Sequence, residues 1–172
     1  MVVTKYVRSQ ATKANVVKSV TGRNIVHFAC HGISGHLYGD LFASLVLTVV
    51  KPGDPDDDGF LTLDTIFRLK MASCELAILG ACDTNVGTHQ SGEGTWSISR
   101  GFLAAGSRRV VASNWRVDDE ATAELISDFV GNTHQSEGGF AESLRQAKIT
   151  IKSNAKWQHP YYWAPFVLIG TY

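Results

Sequence analysis

Two apolar runs, each of strand length and each ending in a reactive side chain, constrain this chain more than any other feature. Ile25-Val26-His27-Phe28-Ala29-Cys30-His31-Gly32 is the first, and Leu76-Ala77-Ile78-Leu79-Gly80-Ala81-Cys82-Asp83-Thr84 is the second. A short continuous apolar run bounded by glycine or turn-forming residues reads as a strand buried on both faces. In an open α/β sheet, ligands bind and chemistry occurs beyond the carboxyl ends of the parallel strands. A histidine at one such end and a cysteine at another supply the two groups that thiol-based acyl transfer needs. A free thiol is only a few per cent thiolate at neutral pH, and a neighbouring imidazole supplies the reactive form.

The remaining runs fit around these two. Residues 11–20 form a short helix with Ala14, Val17 and Val20 on one face. Residues 45–50 are apolar and largely β-branched and read as a strand. The Pro/Gly/Asp-rich turn 51–59 follows, and Phe60-Leu61-Thr62-Leu63 pairs back as a hairpin. Asp64 is the expected N-cap of a short helix through Leu69. Residues 85–94 read as a small-residue loop, a candidate for activation or autocleavage. Thr95 to Ala105 reads as a helix carrying Trp96, Ser99 and Leu103 on one stripe, stopped by Gly106. Arg109 to Trp115 is a third buried strand. A helix opening at Val117–Glu120 places acids at the positive end of its dipole and buries Leu125, Ile126, Phe129 and Val130. After Gly138-Gly139, Phe140, Leu144, Ala147 and Ile151 recur at helical spacing, and residues 163–170 close the fold as a strand. Alternating strands and helices indicate a layered α/β sheet.

With 172 residues, the chain is expected to be a single domain over 1–172. Sixteen basic residues balance sixteen acidic ones without clustering, so no field draws the chain to nucleic acid or an anionic membrane. No apolar stretch has the length of a spanning helix, and the N-terminal residues lack the pattern of a signal peptide. Three cysteines, an odd number, fit a reducing cytoplasm, where one can act as a nucleophile.

The ordered set of motifs closely resembles the CHAT domain, a caspase-like family related to caspases and separases and often attached to tetratricopeptide repeats. The matching stretches are His27-Phe28-Ala29-Cys30-His31-Gly32, Gly80-Ala81-Cys82-Asp83-Thr84 and Gly92-Glu93-Gly94. They continue through Arg100–Gly106, Val111–Thr122 and Trp163–Gly170, in family order over nearly the whole chain. His31 and Cys82 lie roughly 50 residues apart, the histidine-to-cysteine spacing of caspases. The resemblance implies a caspase-like three-layer α/β/α fold with a mostly parallel central sheet. It implies a cysteine endopeptidase in which Cys82 is the nucleophile and His31 the general acid and base. It also implies an oxyanion hole made by the backbone N–H groups of Gly32 and Cys82.

The chain departs from caspases in placing Asp83-Thr84 after the cysteine. The caspase-like fold also carries a strand, a helix and a second strand before the histidine-bearing strand. Only about two dozen residues precede that strand here, enough for one helix. The fold is therefore expected to lack its N-terminal strands, the chain being an N-terminally truncated fragment or one completed by a partner. An open strand edge of that kind is an aggregation hazard.

Other constellations carry less. Cys30 and Cys74 read as packing or surface residues, and His27 as a core histidine. A zinc site from His27, Cys30, His31 and His36 is disfavoured, because His27 and Cys30 alternate to opposite faces of a strand. The acidic turn 54–59 opens like a calcium loop, but Thr65 stands where the bidentate glutamate belongs and no helix precedes it. No cofactor or metal is therefore expected. No Gly-x-Ser-x-Gly nucleophile elbow occurs. Asp83, Trp115 and Asp118 follow strand ends where a substrate side chain would enter. Trp115 is a candidate wall of the S1 pocket and Asp118 a candidate reader of a basic P1 residue, with helix capping as the alternative role of Asp118. The expected function is cleavage of a protein substrate, gated by a repeat or sensor domain or a partner chain. The alternative is a catalytically inactive caspase-like interaction module.

Overall fold

A computed structural model describes residues 3–33, 43–51, 57–81, 84–85, 88–90, 94–116, 118–133 and 139–171. Its central sheet has the order β1-β5-β8-β9, built from β1 (Ile25–Phe28), β5 (Leu76–Leu79), β8 (Arg109–Ser113) and β9 (Phe166–Gly170). The first three strands run parallel, in the register Ile25↔Leu76 and Ala77↔Val110, and β9 closes the sheet antiparallel with Ser113↔Phe166. Among the described residues, β1 is an edge strand.

Both faces are covered at β5 and over most of β8, which is why those strands read as apolar runs, whereas Ile25 and His27 of the edge strand β1 are exposed. Side chains alternate between two cores, as the period of a strand demands. Val26, Phe28, Ala77, Leu79, Val110 and Ala112 pack on one face. They meet α3 (Ile98–Ala104), α2 (Leu63–Phe67) and a small antiparallel sheet of β2 (His31–Ile33), β3 (Ser44–Val46) and β4 (Phe60–Thr62). Leu76, Ile78, Val111 and Phe166 face the other way, onto α4 (Asp119–Asn132) and α5 (Gly139–Ser153). The result is the expected three-layer α/β/α arrangement of the caspase-like fold, with a mostly parallel sheet in the middle. Before the sheet comes α1 (Lys13–Ser19), capped by the Thr12 hydroxyl accepting from the Asn15 N–H.

Gly101 lets α2 and α3 meet closely. A Cβ at that position would fall 2.6 Å from Leu63 Cδ1 and 3.1 Å from Ile66 Cγ2.

Several boundaries differ from the sequence expectation, each for a local reason. The strand expected over 45–50 ends at Val46. The Thr48 N–H turns instead to the Ala11 carbonyl, and the Thr48 hydroxyl to that of Arg8, leaving Val49 and Val50 exposed. The α2 cap is Thr62, not Asp64, which lies in the first turn and pairs with Arg68 at 3.0 Å. The helix expected from Thr95 starts at Ile98, because Ser97 takes the cap position. Gly94–Trp96 instead forms β7, antiparallel to β6 (Thr88–Gln90), so the expected loop contains a short hairpin.

Candidate functional site

The chain leaves the central sheet at Phe28 and enters the small antiparallel sheet at His31, opposite Val46. His31 is therefore held by β2 rather than carried loosely beyond β1. Gly32, opposite Leu45, is half-buried in the same strand. A cleft of about 580 Å³ opens here, bordered by His27, Ala29, Cys30, His31, Gly80 and Ala81 on the sheet side. Its opposite wall is one face of α4: Asp119, Thr122, Ala123, Ile126, Ser127 and Val130, at positions i, i+3, i+4, i+7, i+8 and i+11. Val130, expected in the core, lies on this wall and is 37% exposed, while Leu125 and Phe129 are fully buried.

Ala81 lies two residues beyond the end of β5 and is buried. Cys82 and Asp83 lie outside the described residues, as does His36. His31 thus borders the same cleft as the residue that precedes Cys82. Trp115 and Asp118 follow β8. The indole N–H of Trp115 donates to the Tyr161 carbonyl at 3.1 Å, and the indole is partly exposed. Asp118 is the N-cap of α4, its Oδ1 accepting from the Glu120 and Ala121 N–H groups at 3.1 and 3.0 Å.

His27 is a correction to the sequence reading. It stands exposed on the cleft wall rather than in the core, and desolvation by the neighbouring wall lowers its pKa from the ordinary 6.5. Its neighbour Cys30 also borders the cleft, because the strand stops at Phe28 and strict alternation fails beyond it. Even so, among the described residues no three His, Cys, Asp or Glu side chains gather to hold a metal ion.

Burial raises the pKa of both described thiols, Cys30 and Cys74. Burial pushes Cys30 up to about 11, against the opposing effect of a hydrogen bond from the Val46 backbone. Cys74 is fully buried and its pKa is likewise raised by desolvation, although the Ser107 hydroxyl donates to its sulfur at 3.5 Å.

Sequence reasoning missed a buried polar cluster beside the cleft. Thr84, Ser97, Ser99 and Ser113 are almost fully buried, and Asn85 and Asn114 join them. Asn85 Nδ2 donates to Asn114 Oδ1 at 2.6 Å, Ser99 Oγ donates to Asn85 Oδ1 at 2.8 Å, and Ser97 Oγ lies 2.8 Å from Ser99 Oγ. The one sequence signal was the change from apolar to small polar residues at Ser113-Asn114, where β8 ends, and at Thr84-Asn85, a few residues after β5.

Among the described residues, no helix is long and apolar enough to cross a membrane. The profile of the CHAT domain matches residues 3–171. The chain is 29% identical to tetratricopeptide repeat protein 28 of Homo sapiens and 27% identical to that of Mus musculus. Each match takes in 96% of this chain and 8% of the relative, so the chain spans a small part of the length of these proteins. A match running from residue 3 to residue 171, on a three-layer sheet with a cleft at the histidine-bearing strand end, establishes the family: the chain belongs to the CHAT domain family.

Proposed function

We propose that this domain is a caspase-like cysteine endopeptidase acting on a protein substrate. The observation that carries the reading is that His31 and Ala81, the residue before Cys82, border one cleft. The high pKa of Cys30 and the burial of Cys74 add to it, since they leave Cys82 as the thiol suited to attack. In this mechanism His31 takes the Cys82 thiol proton as the sulfur adds to the scissile carbonyl, and the N–H groups of Gly32 and Cys82 receive the oxyanion. His31 protonates the departing amine, which leaves an acyl-enzyme. Water, deprotonated by His31, then releases the acid and frees the thiol. Asp83, Trp115 and Asp118, beyond the strand ends, contact the substrate side chain, with Trp115 as a wall of the S1 pocket and Asp118 reading a basic P1 residue. A tetratricopeptide-type repeat or another sensor domain gates the reaction, in keeping with the repeats that the relatives' name records. The reaction takes place in the cytoplasm.

The test is cleavage of a peptide library of mixed P1 residues by the chain, alone and with a candidate activating domain, beside Cys82→Ala and His31→Gln. Cleavage that both substitutions abolish supports the protease. If folded protein with the activator present is inert, and Cys82 is no more reactive than Cys30, the domain is an interaction module.

A further inference from the structure

We infer that Thr48 is a positioning residue for His31. It latches the N-terminal arm, residues 3–12, to the strand against which His31 is paired, so that the seating of the arm governs the imidazole. The inference deepens the gated-protease reading above and rests on it. His31 opens β2 opposite Val46, the last residue of β3. The Val46 backbone also hydrogen-bonds the Cys30 thiol, so one residue of β3 holds two neighbours on the cleft wall. Just beyond it, the Leu47 N–H donates to the Gly59 carbonyl at 2.7 Å. Thr48 then turns to the arm. Its N–H donates to the Ala11 carbonyl at 2.8 Å and its hydroxyl to the Arg8 carbonyl at 2.6 Å. The arm is thus fastened two residues from the partner of His31.

The backbone of Arg8 shows that this contact is imposed. Arg8 presents its carbonyl from a φ of 51°, and among the described residues it is the one non-glycine with a positive φ. A residue with a side chain holds that conformation only where its surroundings fix it. The Arg8 carbonyl already accepts from the Ala11 N–H at 3.0 Å and lies at the surface, so hydrogen-bond satisfaction alone does not require the Thr48 hydroxyl. What the hydroxyl adds is a fixed meeting point between the arm and β3. Residues 3–10 are all exposed. Elsewhere the arm is tied at the surface, by Tyr6 Oη to Ser19 Oγ at 2.8 Å and by Asn15 Nδ2 donating to the Gln10 carbonyl at 2.8 Å. Surface hydrogen bonds without burial open at low cost, which suits a gate. A domain that takes hold of the arm shifts the end of β3, and with it the strand that carries His31. Thr48 does not touch the reacting atoms, but a misplacement of about 1 Å is enough to slow a reaction about a hundredfold.

The experiment uses the full chain with Thr48→Val, Thr48→Ser, Arg8→Pro and the pair Thr48→Val with Arg8→Pro. Valine removes the hydroxyl and keeps the N–H, and proline forbids the positive φ of the arm. Iodoacetamide alkylation is followed from pH 5 to 10, with each thiol assigned by peptide mass spectrometry. The His31 ring resonances are recorded by NMR, and thermal melting runs in parallel. Each single substitution is expected to slow alkylation of Cys82 about tenfold at neutral pH and to move the His31 resonances. The pair is expected to do no more than either alone, because both open one latch. Thr48→Ser restores both readouts, and Cys74 keeps its rate. Should one variant not fold, the other carries the same test from the opposite side of the bond. A lowered melting temperature with unchanged Cys82 rate and His31 resonances would make the latch purely structural and overturn the inference. A parent Cys82 that reacts no faster than Cys30, with no response to His31→Gln, would instead overturn the protease reading. The His31 resonances then decide the latch by themselves, moving in Thr48→Val and returning in Thr48→Ser if it holds.

Discussion

The imidazole of His27 lies over Gly80 so closely that a Cβ at position 80 would sit 3.2 Å from its Nε2. The same Cβ would stand 3.4 Å from the Phe28 carbonyl, which belongs to a paired strand and cannot yield. Glycine at this position thus sets how far the His27 ring settles onto the sheet at the floor of the cleft. Gly80→Ala is expected to push the ring into the cleft, at a stability cost of about 1 kcal/mol. Urea unfolding measures the cost. The His27 titration followed by NMR should move up toward the ordinary value as the ring gains solvent.

His27 is expected to make stability depend on pH, with a definite sign. Its pKa is lowered by partial burial from 6.5, so below about pH 6.5 the unfolded chain binds more protons than the folded one. Stability supplied by the neutral ring is present above that value and is lost as pH falls through it. Urea midpoints at pH 7.5 and pH 5.5 should therefore differ less in His27→Gln than in the parent chain. An unchanged difference would place the acid sensitivity elsewhere.

What was legible in the sequence follows from what one-dimensional pattern encodes. β5 and β8 stood out because covering on both faces fills them with apolar side chains, and β1 because Val26 and Phe28 pack into the core on one face. The face of α5 was readable from Phe140, Leu144, Ala147 and Ile151 because one side of that helix packs and the other is wet. The hairpin of β6 and β7 was not legible, since Thr88–Gln90 and Gly94–Trp96 are too short to show a period. His27 was misjudged because strand alternation says which face a side chain takes, not whether another element covers it. The buried hydrogen bond from the Ser113 N–H to Thr84 Oγ1 was invisible for a different reason. Its members are 29 residues apart, and a buried hydroxyl in sequence looks like any turn serine or threonine.

Phe28 and Phe102 join the histidine-bearing strand to α3, their ring centroids 5.2 Å apart and tilted by 49°. Both rings are buried, Phe102 completely. Phe102→Ala is expected to cost about 3–5 kcal/mol, by lost burial and by the cavity left beneath the sheet. Phe102→Leu should cost clearly less. Guanidinium unfolding of the three proteins measures the series, and equal losses for Ala and Leu would argue that the core does not close on this ring.

Asp118 offers a substitution that separates charge from structure. Its carboxylate caps α4 through the Glu120 and Ala121 N–H groups, and α4 forms the cleft's far wall. Asparagine caps a helix about as well as aspartate, whereas alanine does not. Asp118→Ala is therefore expected to lower stability by about 1 kcal/mol, and Asp118→Asn by much less. If Asp118 also reads a basic P1 residue, Asp118→Asn will weaken cleavage after Arg and Lys while leaving the melting temperature nearly unchanged. A P1 profile identical to the parent's, in a protein of unchanged stability, would confine Asp118 to its cap.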